Sequence, residues 1–456
     1  MLVIGGGHAA LCAALSARAR GARVLLAERA PAFYRGGNSR HTRDVRFAHG
    51  PESPYATGVY AQEELLADLL GVTGSEMDQD LAQLVVSGSE DLAHWMAAQG
   101  VIWQKPLKGT LHLSRTNVFM LGGGRAMLNA YYRKAENIGV EILYDADVHG
   151  ITIRDGRFQG ATVRLGAEDV PVSARTVVFA AGGFEANLEW LGRYWGEAAQ
   201  NFIVRGSPYN TGEILAELLD LGVMPVADAQ GFHAVAVDGR APRYDGGIVT
   251  RLDSVPFGIV VNSRGERFYD EGEDFWPKRY AIWGGLIARQ EDQTAYSIVD
   301  HAALANFLPS VFPPVVAPTM PELADALGLP RGALIASIDS YNRSVRPGHF
   351  DPKALDTCTT DGLQPPKSHW ALPIAVPPFY GYPLRPGVTF TYHGVAVDER
   401  AHLRMKDGSI CPNAFAAGEI MAGNILRKGY LAGFGLTIGG VFGRIAGEEA
   451  ARHVLA

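Results

Sequence analysis

The first ten residues constrain the fold more than any other stretch. Leu2-Val3-Ile4 reads as a short buried strand, Gly5-Gly6-Gly7 as a tight turn, and Leu11 to Gly21 as a helix. A second apolar run, Val24-Leu25-Leu26-Ala27, ends on the acid Glu28. Together they form a βαβ unit with the dinucleotide fingerprint Gly5-x-Gly7-x-x-Ala10. Gly5 suits the turn, Gly7 lets backbone approach a pyrophosphate, and Ala10 lets helix and strand pack closely. His8 and Ala9 open the helix, where free N–H groups and the positive dipole end favour phosphate. Glu28 is placed to accept hydrogen bonds from both ribose hydroxyls and to repel a 2′-phosphate. The plain alternative is an ordinary Gly-rich βα turn.

Composition narrows what surrounds that unit. A chain of 456 residues is long enough for two or three domains. Its net charge of −7 argues against nucleic acid as a partner. Cys12, Cys358 and Cys411 are far apart, so the expectation is no zinc or iron–sulfur site and a reducing cytoplasm. No apolar run reaches the roughly 18 residues that span a bilayer, and no signal peptide precedes the first strand. That strand begins almost at Met1, so the expectation is either a late start or a few residues missing before it.

Further along, Arg29-Ala30-Pro31 leads to Gly36-Gly37-Asn38-Ser39-Arg40-His41-Thr42, which suits a loop wrapped on phosphates or on a polar ring edge; a surface turn is the alternative. Residues 53–100 look helical and amphipathic, 101–124 a polar, aromatic loop, and 125–138 a helix. Glu141 to Tyr144 reads as a strand and 151–164 as a hairpin turning at Asp155-Gly156. Thr176 to Phe184 is a buried strand that runs into small residues. Tyr209-Asn210-Thr211-Gly212-Glu213 is a glycine-bearing turn into a helix. From 228 to 390 the texture turns aromatic and Pro-rich, with irregular stretches at 309–321 and 346–388. The last segment, 391–456, returns to the texture of the start and closes with a helix at 435–455. The reading is an α/β protein: a first domain over 1–227 and 391–456, with a second domain at 228–390 inserted in it.

Several of these segments resemble the flavoprotein family of fumarate reductases, succinate dehydrogenases and 3-ketosteroid dehydrogenases. They are Gly5-Gly6-Gly7, Glu28, Gly36 to Ser39, Ala180-Ala181-Gly182-Gly183-Phe184, Thr211-Gly212, Asn262 to Phe268 and Ala416-Ala417-Gly418-Glu419. The resemblance implies that the dinucleotide is FAD, in a Rossmann-like domain, and that 228–390 is an α+β capping domain over the flavin. Gly37 to Thr42, Phe119 to Gly124, Ala417 to Asn424 and Lys428 to Gly439 resemble the tricarballylate dehydrogenase branch and its relative, the precorrin-3B synthase flavoprotein.

The resemblance also implies roles. Gly5, Gly7, Ala10, Glu28 and Arg29 fall on the ADP half of FAD, with Val148 beside adenine. Gly36, Gly37, Asn38, Ser39 and Arg40 reach the pyrophosphate and the flavin N5 edge. Ala181, Gly182, Asn210, Thr211, Gly212, Gly418 and Glu419 join the cofactor set, Glu419 at a ribityl or ribose. Gly433, Gly435 and Leu436 face the N1–O2 side. Some members attach FAD through a histidine in the 36–42 loop; that position falls on Ser39, which implies non-covalent FAD with His41 facing ring or substrate.

For catalysis, Arg267-Phe268-Tyr269-Asp270-Glu271 matches the family stretch that precedes a proton-donating arginine, and Arg279 is its counterpart. The alternative is that Arg279 pairs with Glu271 or Glu273 as a surface charge. The family's relay glutamate is replaced by Arg251, its substrate histidine falls on Phe390 with His393 three residues on, and its substrate arginine falls on Tyr430. His233 matches a capping-domain histidine that binds carboxylate in relatives. Arg279, Tyr430 and His393 are thus the expected catalytic set, and His41, Arg115, His233, Glu271, Arg427 and Lys428 the expected substrate contacts.

The reaction implied is removal of a proton and a hydride from adjacent carbons beside a carboxylate, tricarballylate giving cis-aconitate. Electrons would leave to a separate acceptor, in the family a membrane-bound iron–sulfur protein. That would make a cytoplasmic chain peripherally membrane-associated. Three alternatives stay open: a larger precorrin- or ketosteroid-like substrate, fumarate reductase-like chemistry, and a non-catalytic FAD-binding subunit.

Overall fold

The computed structural model describes residues 1–106, 113–308 and 310–456. The middle of the expected 101–124 loop and one residue of the 309–321 stretch lie outside the described residues.

The opening βαβ unit forms as read. Strand β1 (Leu2–Ile4) pairs in parallel with β2 (Leu25–Ala27), and helix α1 (His8–Ala19) connects them. Gly5 is held at φ 109°, where a side chain is strained, and a Cβ on it would lie 2.3 Å from the Ala180 carbonyl oxygen. Only glycine lets these two strand ends approach so closely. The full first sheet runs His402–Arg404, Ile410–Ala416, Val177–Phe179, β1, β2, Glu141–Leu143. Its last strands therefore come from the C-terminal segment, and they sit next to the expected buried strand after 176.

The C-terminal helix (Phe434–Leu455) lies against α1. Small residues make that contact possible: a Cβ on Gly443 would lie 2.6 Å from Ala9 O, and one on Gly447 2.2 Å from Ala13 O. His8 Nε2 meets Leu436 O at 3.0 Å, which locks the two helix starts together. Both N-termini consequently open on the same side of the sheet.

A second, six-stranded sheet is built on the long strand Phe379–Thr391. Phe232–Asp238, Ala295–Asp300 and Val315–Ala317 pair with it antiparallel, and Ile259–Asn262 joins at the edge. Ile203–Val204 pairs with it in parallel, so this sheet also draws on a segment before 228. A separate core of Ile259, Val261, Ile298, Leu323, Leu334 and Tyr341 backs it.

Local differences from the sequence reading have plain causes. Within 53–100, residues 53–61 are irregular, as Pro54 and Gly58 direct, and helices follow at Gln62–Thr73, Gln79–Ser89 and Leu92–Ala98. The 151–164 hairpin turns at Asp155 and Gly156, both left-handed, and gains a third strand at Glu168–Ser173. Among the described residues no helix is long and apolar enough to cross a membrane, and all three cysteines are buried and free.

Candidate active site

A large cavity runs past the carboxyl ends of β1 and β2 to the second sheet, the usual place for a ligand in an open α/β sheet. It encloses about 1530 Å³ of non-atom space, counting its open mouth.

One end of the cavity is made of backbone. Gly5, Gly6 and Gly7, Gly36 and Gly37, Gly182, Gly212, Gly418, Gly433 and Gly435 all line it. α1 starts at Gly7 and the C-terminal helix at Gly433, and neither start carries a side-chain cap. Of the first-turn N–H groups, that of His8 goes to Ser39 Oγ, that of Phe434 to Leu431 O and that of Gly435 to Tyr430 Oη; the remainder are left for an anion. Glu28 closes β2 and lines the cavity; Oε1 accepts the Ala30 N–H at 2.9 Å and Oε2 the Gly36 N–H at 3.0 Å. Arg29, with Thr211, Glu213 and Asp147 as partners, and Val148 stand at the same end.

The other end is aromatic and cationic. His233 is 2% exposed, and neither ring nitrogen has a partner. It stacks on Tyr430 with centroids 4.1 Å apart and meets Tyr280 edge-on at 5.2 Å. Burial first, then the charge of Arg205, holds this imidazole well below its usual pKa, so it is neutral. Tyr430 Oη accepts the Gly435 N–H at 2.9 Å, which leaves its own proton free. Arg205 is 4% exposed; Nε donates to Thr389 Oγ1 at 3.0 Å, Nη1 has no partner, and no carboxylate of the described residues lies within ion-pair distance. Arg43 and Arg251 also keep a buried Nε without a hydrogen-bond partner, but each has a carboxylate beside it. Arg251 pairs with Asp253 at 2.8 Å, and Arg43 lies between Asp44 at 3.3 Å and Asp253 at 3.8 Å.

The comparisons with known proteins decide which ligand class this cradle serves. The model of the FAD binding domain family matches residues 1–435. This chain belongs to the FAD binding domain family. Among its relatives it is 28% identical over 397 residues to the NADH:acrylate oxidoreductase of Vibrio harveyi, which covers 81% of this chain and 37% of that one. It is 24% identical over 464 residues to the NADH:fumarate oxidoreductase of Klebsiella pneumoniae, covering 99% and 48%. The chain thus spans about half the length, or less, of these curated relatives. In fold it is similar to the open conformation of a flavocytochrome c3 fumarate reductase, with a TM-score of 0.77, 22% identity, and 100% and 78% of the two chains covered. The resemblance read from the sequence, to the fumarate reductase and succinate dehydrogenase flavoproteins, therefore holds, and so do the α/β fold class and FAD as cofactor.

The residues present fit an FAD. Bare glycine backbone and the remaining N–H groups of two helix starts with glycine at the N-cap suit its pyrophosphate, and the acid at the end of β2 suits its ribose. Ser39 Oγ accepts the His8 N–H at 3.0 Å and faces the same space. Of the expected cofactor residues, Gly5, Gly7, His8, Ala9, Glu28, Arg29, Gly36, Gly37, Asn38, Ser39, Val148, Ala181, Gly182, Asn210, Gly212, Gly418, Glu419, Gly433, Gly435 and Leu436 line the cavity. Three do not. Ala10 is fully buried and acts through packing. Thr211 spends its hydroxyl on Arg29 and Glu213. Arg40 donates to Phe33 O at 3.1 Å and lies 3.7 Å from Asp245.

The expected substrate end is largely redrawn. Tyr430, His233 and His41 line the cavity. His41 Nε2 approaches Asp245 Oδ1 to 2.9 Å without a hydrogen-bonding angle, and burial with nearby Arg205 and Arg40 lowers its pKa to about 3. Arg279 does not line the cavity; it pairs with Glu273 at 3.1 Å, the surface-charge alternative. Glu271 is tied to Arg267 and to the Val260 N–H and braces the second core. His393 approaches Ala227 O at 3.2 Å outside the cavity lining. Arg115 pairs with Glu64, and Lys428, 64% exposed, pairs with Glu76. Arg427 is absent from the lining too. In their place stand Arg205, Arg43, Tyr280 and Thr389, beside Phe390 and Arg251. One signal could have pointed to Arg205: a charge directly after the apolar pair Ile203-Val204 and before Gly206.

Proposed function

We propose that this chain is an FAD-dependent oxidoreductase that acts on a carbon–carbon bond beside a carboxylate. The observation that carries the reading is Arg205, a buried guanidinium in the cavity with an unused Nη1 and no ion pair. Such a group needs an anion, and a planar fork suits a carboxylate. Bound FAD supplies hydride acceptance and donation at its N5 atom. Arg205 holds the carboxylate and stabilises enolate charge as the α-proton moves. His233, neutral, offers its one N–H donor to the same carboxylate. Burial keeps the Tyr430 hydroxyl protonated, and with Gly435 N–H on its oxygen its hydrogen faces the cavity. Tyr430 is accordingly the proton donor in the reductive direction, where its phenol proton passes to the α-carbon.

The charge inventory favours a substrate with one carboxylate. Arg43 and Arg251 are already matched by Asp44 and Asp253, so Arg205 is the cation left over among the described cavity residues. The flanking Tyr280, Tyr430 and Phe390 favour an apolar or flat remainder. Acrylate, in the name of the Vibrio harveyi relative, has one carboxylate beside a double bond. Tricarballylate, oxidised to cis-aconitate, asks for donors to three. Electrons go to or come from a separate acceptor, since three separated cysteines offer no thiolate set for a cluster; an iron–sulfur protein at a membrane is the partner we propose.

A spectral titration tests the choice. Mono-, di- and tricarboxylates are added to the oxidised holoenzyme and the flavin band is followed. Monocarboxylates with an apolar body should perturb it at the lowest concentration. Tighter binding of tricarballylate would reverse the assignment of charge, and no response to any carboxylate would reject the site.

A further inference from the structure

The cavity has a second acidic feature, a carboxyl pair whose member Glu185 belongs to neither the cofactor cradle nor the proposed chemistry. Glu185 follows the small-residue run Ala180 to Phe184 and is 0% exposed. Its Oε1 accepts Asn210 Nδ2 at 2.7 Å and also Asn38 Nδ2, from two residues that line the cavity. Its Oε2 meets no donor. Glu419, which lines the cavity, accepts the Thr391 N–H on Oε1 at 2.8 Å. The two carboxyls converge on Gly183: a Cβ there would stand 2.3 Å from Glu419 Oε1 and 2.8 Å from Glu185 Oε2. Two carboxylates this close do not both ionise at low cost. A proton on Glu419 directed at Glu185 supplies the donor that Oε2 lacks.

Among the described residues no cation offsets the pair. From the turn Gly37–His41, Asn38 faces it, while Arg40 and His41 are directed at Asp245. From the strand Phe379–Thr391, Thr391 faces it; Arg205 reaches that strand at Thr389, and Arg385 is held by Asp292 O. From the segment before Glu213, Asn210 faces it, and Arg29 is matched by Glu213 and Asp147. Burial raises Glu185 to about 7 and Glu419 well above the carboxyl range, the charge of Glu185 adding to the second rise.

We infer that Glu185 and Glu419 share a proton at the cavity wall, and that binding of FAD is linked to uptake of a further proton by this pair. The charge argument is direct. A bound dinucleotide adds pyrophosphate charge to the same cavity, and added negative charge makes the pair hold protons more tightly. By reciprocity a proton on the pair tightens FAD binding. Glu185 is a positioning residue in this scheme: it fixes Asn38 and Asn210, and it carries the titration. The sign follows. The proton is bound with or without FAD below about pH 7, and above that FAD must bring it in, so affinity falls as pH rises.

Holoenzyme diluted to nanomolar concentration releases FAD, which the rise in flavin fluorescence reads. Between pH 7 and 9 the wild-type dissociation constant should rise about tenfold per pH unit. Glu185→Gln, which keeps the shape and removes the titration, should change less than twofold per unit. A flat wild-type profile overturns the inference, as does a Glu185→Gln profile as steep as wild type. If Glu185→Gln does not fold, Glu419→Gln is read in the same way, and the wild-type slope alone still decides.

Discussion

His233 lies flat on Tyr430, ring centroids 4.1 Å apart and planes inclined by 11°, with both imidazole nitrogens unpartnered in a buried wall. The stack keeps the imidazole in place without consuming its polar atoms. His233→Phe should therefore retain FAD and the stack, yet raise KM by roughly tenfold, the value of about one buried hydrogen bond. Because burial holds the ring neutral, wild-type KM should show no His233 titration between pH 5 and 8. Steady-state kinetics across that range checks both points; an unchanged KM in the variant would mean that the nitrogens face no substrate.

Arg205 should show opposite effects on stability and function. An unpaired buried charge costs folding free energy, so Arg205→Met should raise the melting temperature of the substrate-free holoenzyme. Loss of the carboxylate's partner costs about 2–5 kcal/mol, so kcat/KM should fall roughly 30-fold or more. Thermal unfolding and turnover on the same preparation test the pair of effects. A lower melting temperature with normal turnover would show that Arg205 is structural.

Arg279→Ala should leave turnover near normal. Its partner is Glu273, with side chains 28% and 33% exposed, and such pairs contribute about 1 kcal/mol or less. A loss of activity beyond a few-fold would restore Arg279 to the proton-transfer role that its sequence position suggests.

The contrast between Arg279 and Tyr280 shows where sequence reading stops. The stretch from Arg267 to Glu271 located the right region, but on the short helical turns near 276–282 adjacent side chains point in different directions, and it is Tyr280 that reaches the cavity. The cofactor end was legible because its signals are local: Gly5, Gly7 and Glu28 lie within one βαβ unit, and bare backbone is what a pyrophosphate requires. The substrate end draws single residues from distant segments. Arg43 follows the 36–42 loop, Arg205 ends an edge strand, and Arg251 pairs with Asp253 after Phe232–Asp238. Which arginine is left without a carboxylate is a property of the folded charge inventory, and Arg115 and Lys428 were equally basic candidates until Glu64 and Glu76 were placed beside them.

FAD should come away intact. Ser39, the expected counterpart of an attachment histidine, has a hydroxyl that accepts the His8 N–H. His41 lies beside Asp245 instead. Acid precipitation should leave the flavin in the supernatant. Flavin fluorescence that stays with the denatured polypeptide would show a covalent bond, with His41 the residue to map.

Anaerobic mixing is the most direct test of carbon–carbon oxidoreduction beside a carboxylate. Holoenzyme reduced by dithionite is mixed with acrylate, fumarate or an aryl-acrylate, and oxidised holoenzyme with the corresponding saturated acids and with tricarballylate, while the flavin absorbance is followed. Reoxidation by an unsaturated acid, or bleaching by a saturated one, is predicted, with Arg205→Met abolishing the response. Flavin that remains unchanged with every acid in both directions would contradict the assignment.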